Sequence, residues 1–168
     1  MGKHLHLLIT ILLALWTLIP YKDVTCIFPE ERERSETKYI IVHHDAIPHE
    51  TTIANIDYQH RVINGWGSGF AYAFNLKDGL IYQVKGANKF TANAINFNHN
   101  SVAVCVHGDF DVEEPSTIQL SELYVLLKIL KFRYPDAEIV THGELNTTSC
   151  CGMNLKKNID KWTKGNQD

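Results

Sequence analysis

Tyr39-Ile40-Ile41-Val42-His43-His44-Asp45 is the stretch whose reading decides the fold. A short apolar run rich in β-branched residues and closed by polar ones reads as a buried strand. Its counterpart is Ser101-Val102-Ala103-Val104-Cys105-Val106. That segment is continuously apolar, so it is placed as a strand covered on both faces, with Cys105 in the core. Around these two runs, short apolar segments alternate with helical patterns, and there is no internal repeat or low-complexity tract. The expected class is α/β: a single domain with a mixed central β-sheet flanked by helices.

Working outward, Thr51-Thr52-Ile53 opens a helix towards Val62-Ile63, with a hydroxyl to cap it and Gly65 to end it. Ala71 to Leu76, the turn Lys77-Asp78-Gly79, and Leu80 to Val84 form a hairpin, because Asp-Gly supplies the positive φ of a tight turn. Simple alternation puts Tyr72 and Phe74 on one face. Ala87 to Asn100, rich in asparagine and alanine, is expected as a surface loop bordering a cleft. Ser116-Thr117-Ile118-Gln119 resembles a capping box, and Ile118, Leu123, Leu126, Leu127 and Leu130 define one face of a helix stopping before Pro135. Ala137 to Val140 gives a last strand, and Leu155 to Trp162 a terminal helix.

With 168 residues, the chain has room for one hydrophobic core. Residues 1–26 read as a signal peptide or signal anchor: Lys3 precedes an apolar run from Leu5 to Ile19, too short for a comfortable membrane span, followed by Pro20 and charges. Val24-Thr25-Cys26 offers a cleavage point. The expected location is therefore exported: secreted, periplasmic, or tethered to the outer face of the cytoplasmic membrane. Residues 27–37, containing Glu30-Glu31-Arg32-Glu33-Arg34-Ser35-Glu36, read as a solvated charged linker, and residues 38–168 as the folded domain. A net charge of −3 with mixed signs gives no footprint for nucleic acid.

The chemistry is carried by Thr141-His142-Gly143-Glu144-Leu145-Asn146-Thr147-Thr148-Ser149-Cys150, a loop that sets an imidazole and a thiol where both can reach one ion. The third ligand is a histidine at the end of the first strand. Successive strand side chains point to opposite faces, so only one of His43 and His44 can serve. Two histidines and a cysteine suit Zn²⁺, and three protein ligands leave a position for a reactive water. Such a chain would be a hydrolase.

Several segments together resemble a known family: Ile41-Val42-His43-His44, Ile63-Asn64-Gly65-Trp66-Gly67-Ser68-Gly69-Phe70 leading into Tyr72-Ala73-Phe74, Asp78-Gly79, Gly108-Asp109-Phe110, and Thr141 to Leu145 with Thr148-Ser149-Cys150. In order and spacing they are similar to the zinc-dependent N-acetylmuramoyl-L-alanine amidases shared by phage endolysins and peptidoglycan recognition proteins. The resemblance spans about Lys38 to Trp162. It implies His43, His142 and Cys150 as zinc ligands, Tyr72 as the active-site tyrosine, and Thr148 as a residue assisting catalysis. The implied reaction is hydrolysis of the amide between the lactyl group of N-acetylmuramic acid and the L-alanine of the stem peptide by zinc-activated water. Bacterial peptidoglycan is the implied partner and a monomer the expected working unit; the N-terminal segment, if it is an anchor rather than a cleaved signal, would tether the domain to the membrane. The alternative is a non-catalytic peptidoglycan-binding protein of the same fold, usually marked by loss of the cysteine ligand, which this chain keeps. A cysteine hydrolase using Cys105 or Cys150 lacks a Cys-His signature.

The chain departs from the family in three places. Tyr72 to Gly79 is one residue shorter than usual, Ala73 stands where many members have a polar residue, and Cys151 stands at a position usually held by proline. The last leaves open which of Cys150 and Cys151 takes the ion. Cys26 and Cys151 could pair as a disulfide, or a Cys26 thiol could block the site cysteines. His44 is expected beside the site or in the core, His60-Arg61 on a helix face, and His99 and His107 on the surface or cleft rim.

Overall fold

The computed structural model describes residues 21–23, 33–65 and 72–165. The apolar segment 5–19, Cys26 and the motif residues 66–71 lie outside the described residues. The strands are β1 (Tyr21–Asp23), β2 (Tyr39–His44), β3 (Phe74–Lys77), β4 (Leu80–Gln83), β5 (Ser101–Val106) and β6 (Glu138–Thr141). The helices are α1 (Ile53–Tyr58), α2 (Thr117–Arg133), α3 (His142–Leu145) and α4 (Met153–Gly165). The sheet runs in the order β1-β4-β3-β5-β2-β6 and is mixed: only β3 and β4 pair antiparallel. Their turn has Asp78 at φ 55° and Gly79 at φ 73°, the paired positive values of a type I′ hairpin. β1 lies inside the segment read as signal or anchor and forms the sheet edge beside β4.

β2 pairs in parallel with β5 on one side and β6 on the other. Three strands therefore deliver their carboxyl ends to one edge of the sheet, where open α/β sheets place ligands. Alternation along β2 sorts its side chains to two faces. Ile40 and Val42 pack with Val102, Val104, Phe74 and Leu76, under Leu123, Leu126, Leu127 and Leu130 of α2 and Leu155 and Ile159 of α4. Tyr124 and Trp162 stack at 5.1 Å and tie these two helices together. The opposite face carries His43, Cys105 and Asn75, which register aligns. There Ile56 of α1 and Val84 form a smaller cluster with Ile47, Ile53 and Tyr82.

Several expectations are corrected in ways that shape the site. α1 is capped as read, with the Asn55 N–H donating to Thr52 Oγ1 at 3.2 Å, but the segment that follows it, Gln59–Ile63, is a π-helical turn. The wider turn rotates His60 off the solvent face: it is buried, its ring edge-on to Tyr72 at 5.5 Å. In the hairpin, Val84 N and Lys85 N both donate to Ala73 O, at 3.0 and 3.2 Å. This local break ends the simple alternation. Phe74 consequently enters the core while Tyr72 stays on the His43 side, so the two do not share a face. The 87–100 segment is no mere surface loop, since Thr91, Asn93, Ala94 and Asn100 are buried. Residues read as solvated linker are fastened at Arg34, whose guanidinium donates to Ala87 O at 2.6 Å and Lys89 O at 3.0 Å. A planar group with five donors suits such a cluster of carbonyls.

α2 has the expected reciprocal cap, Gln119 N to Ser116 Oγ and Ser116 N to Gln119 Oε1. Ile118, however, is exposed, and Glu122 is buried in the helix face instead. Neither Glu122 carboxylate oxygen has a hydrogen-bond partner among the described residues. Burial pushes its pKa up from 4.5 to about 7. The folded chain thus holds this proton more tightly than the unfolded chain, and the associated stability is present below about pH 4.5 and lost as pH rises to about 7. Glu122→Gln is expected to gain stability over the parent by on the order of 1–3 kcal/mol at pH 8, with a smaller gain at pH 5. Denaturant unfolding of both proteins at the two pH values checks this; a difference independent of pH would refute it.

Candidate metal centre and active site

His43 reaches the site from the end of β2. His142 arrives because β6 ends at Thr141, whose N–H and hydroxyl both donate to Glu144 Oε2, at 2.6 and 2.8 Å. That contact opens the one-turn helix α3 with His142 as its first residue, where the sequence suggested a loop. The chain then folds back so that Gly143 N donates to Cys150 O at 2.6 Å. A Cβ at position 143 would lie 2.8 Å from both Cys150 O and Thr148 O, so only glycine permits this approach. The return brings the Cys150 sulfur to 3.6 Å from His43 Nδ1.

His43, His142 and Cys150 form one cluster whose donor atoms all lie within 4.8 Å of each other. The rings of His43 and His142 are 4.6 Å apart. Burial, and secondarily His142, lowers the His43 pKa to about 3. Burial also lowers that of His142, so both imidazoles are neutral at pH 7. Burial pushes the Cys150 thiol up to about 12; it must give up its proton to bind an ion. The residues fit zinc. With Zn–S about 2.3 Å and Zn–N about 2.0–2.1 Å, a tetrahedral angle sets sulfur and nitrogen roughly 3.5 Å apart, close to the separation of Cys150 Sγ and His43 Nδ1. Two imidazoles and a thiolate also favour zinc over harder ions, which prefer oxygen.

Tyr72 lies against this cluster, its ring 5.1 Å from that of His43. Its hydroxyl faces the Cys105 thiol, and burial keeps its pKa well above 10. Cys105 is thus fully buried, as expected, yet also a floor for the tyrosine. Thr148 is exposed, and its Oγ1 accepts from Cys150 N at 3.3 Å. It belongs to an open depression of about 620 Å³ bordered by residues 143–148.

The neighbouring residues separate clearly. Cys151 follows Cys150 but packs in the hydrophobic core, 1% exposed, with a free thiol. It is therefore outside the donor cluster and, among the described residues, makes no disulfide; Cys26 lies outside the described residues. His44 points to the other face, where its Nδ1 accepts from Phe110 N at 3.2 Å, and its own N–H faces the Cys150 sulfur at 3.4 Å. His107 is not a rim residue. It is buried, its Nδ1 2.7 Å from Asp45 Oδ2, while Asp45 Oδ1 accepts from Gly108 N. Sequence reading missed Asn93 and Asn146, which contact His43 and His142 at 3.3 and 3.1 Å. The density of asparagines between residues 88 and 100 was the available signal.

A profile of the N-acetylmuramoyl-L-alanine amidase family, Amidase_2, matches residues 33–153. The chain belongs to this family. Among curated relatives, this amidase-family chain is 26% identical over 144 residues to peptidoglycan-recognition protein LB of Drosophila melanogaster. The match covers 79% of the chain and 62% of that protein, so the chain spans less than two thirds of that relative. Among solved structures it is similar to the endolysin of Thermus scotoductus bacteriophage Ph2119, with TM-score 0.76 and 25% identity over 84% of this chain and 97% of the other. It is similar also to the endolysin amidase LysCS of Clostridium intestinale, with TM-score 0.75 and 25% identity over 86% and 97%. The donor cluster of this family member lies wholly within the matched residues.

Proposed function

We propose that the chain is a zinc-dependent N-acetylmuramoyl-L-alanine amidase acting on bacterial peptidoglycan outside the cytoplasm, exported or tethered by its N-terminal segment. The observation that carries this reading is the convergence of two neutral imidazoles and a thiol, with a partly buried tyrosine ring beside them. Bound zinc would supply a Lewis acid that polarises the scissile carbonyl and activates water. His43, His142 and Cys150 would hold it and leave one side open. Tyr72 would donate its hydroxyl hydrogen to the oxyanion formed when the lactyl carbonyl becomes tetrahedral. Its raised pKa keeps it protonated throughout the working range. Thr148 would bind at the rim: with Oγ1 already accepting from Cys150 N, its hydroxyl hydrogen is left to donate to the stem peptide.

The test is release of new L-alanine amino termini from purified peptidoglycan. Wild type should be active, lose activity on thorough chelation, and regain it with zinc, while Cys150→Ser should fall by about 10³-fold or more, a loss worth several kcal/mol. Activity surviving chelation overturns the metal mechanism. Stoichiometric zinc and wall binding without release would assign the chain to the recognition proteins instead.

A further inference from the structure

Two asparagines fix the proton of each imidazole in the cluster. Asn93 is buried. Its Nδ2 donates to Thr91 O at 3.2 Å, and also to Thr91 Oγ1 and Ser101 Oγ at 3.0 and 3.2 Å. A backbone carbonyl can only accept, so the amide cannot be turned round. Oδ1 is therefore the atom facing His43 Nε2 at 3.3 Å, and an amide oxygen also only accepts. Nε2 must carry the ring hydrogen. Nδ1 is left with its lone pair, and it is the nitrogen 3.6 Å from the Cys150 sulfur.

The same logic holds at the second histidine. Asn146 Nδ2 donates to Leu145 O at 3.0 Å and Ile95 O at 3.3 Å, both obligate acceptors. Its Oδ1 thus faces His142 Nε2 at 3.1 Å, and His142 too bears its hydrogen on Nε2. The two locks share one segment. Asn98 Oδ1 accepts from Asn93 N and Ala94 N, both at 2.8 Å, holding the turn that presents Asn93 on one side and Ile95 O on the other.

We propose that Asn93 and Asn146 are positioning residues that set His43 and His142 as Nε2–H tautomers and present both Nδ1 atoms to the ion, each ring being set by its own asparagine. The proposal rests on the metal reading above but makes its own claim about the tautomers. Histidine ligands are ordinarily oriented through the other ring nitrogen, and loss of such a partner typically costs 10–100-fold in metal affinity. Here the partners are neutral amides, which orient the rings without adding negative charge beside the ion.

Long-range ¹H–¹⁵N spectra of the zinc-free full chain should show both rings as Nε2–H tautomers. In Asn93→Leu, His43 should become a tautomer mixture while His142 is unchanged, and zinc affinity measured by chelator competition should drop 10–100-fold. Asn146→Leu, at a half-exposed position that tolerates change in the fold, should do the reverse for the two rings, with a similar loss. An Nδ1–H tautomer at either histidine of the parent, or unchanged zinc affinity in both folded variants, would overturn the proposal. Both rings in the expected tautomer in a chain that takes up no zinc would support the setting of the rings and sink the metal reading instead. Should Asn93→Leu fail to fold, the parent spectra and Asn146→Leu still decide.

Discussion

Tyr72→Phe should lower turnover by about 10²–10³-fold, the usual cost of removing one preorganised donor to an oxyanion, with zinc content and peptidoglycan binding close to the parent. The change deletes one oxygen and keeps the ring that packs at 5.1 Å from His43 and 5.5 Å from His60. Its hydroxyl makes its contact with Cys105, a neutral thiol whose own pKa burial raises, so removing it leaves no charge unpaired. A loss confined to kcat would place the hydroxyl at the reacting carbonyl, whereas a rise in KM alone would make it a binding contact. Parallel measurements of zinc stoichiometry, kcat and KM make this separation; unaltered kcat would remove Tyr72 from the proposed chemistry.

Gly152→Ala should be the most damaging alanine substitution among the described glycines, costing about 3–5 kcal/mol through backbone strain and overpacking together. Gly152 has φ +80°, and a Cβ there would sit 2.5 Å from the carbonyl carbon of Phe110 and 2.8 Å from Asp111 N. Neither is a side chain able to swing away. The Phe110 segment it would displace is held by His44 Nδ1 and by Asn154 N, so strain would spread from the start of α4 to the end of β2. Thermal unfolding should fall by roughly 10 °C for a domain of this size. Gly65→Ala is the control: its φ is +66°, but among the described residues no atom lies within 4 Å of the added carbon. A drop no larger than that of the control would show that the Phe110 contact relaxes cheaply.

The parts of the molecule that follow local rules were legible in the sequence. β2, β5 and α2 announced themselves through buried apolar runs and a capping box, and Asp78-Gly79 through its turn geometry. The residues of the donor cluster stood out as chemical types, and strand alternation lets only one histidine of the pair face the site. What stayed hidden depended on departures from regularity or on distant partners. The π-helical turn that buries His60 and the break at Ala73 that parts Tyr72 from Phe74 change side-chain direction without changing composition. Arg34, His107 and Asn93 are polar residues whose burial is compensated by groups far along the chain, and no local window contains those partners. The helix face read from Ile118, Leu123, Leu126, Leu127 and Leu130 is turned so that Ile118 is exposed and Glu122 buried, which follows from how α2 lies on the sheet.

The contact between His43 Nδ1 and the Cys150 sulfur joins residues 107 positions apart. An ion held there would close a ring containing most of the folded chain. For a permanent cross-link, restricting the unfolded chain across a loop of that size is worth about 4–5 kcal/mol, and a metal bond shares that entropy for as long as it lasts. The ion would then serve as a clasp as well as a reagent, and occupancy and stability would become one variable. Its departure would loosen the β3–β4 hairpin, β5, α2 and β6 together, because all of them lie inside the ring it closes.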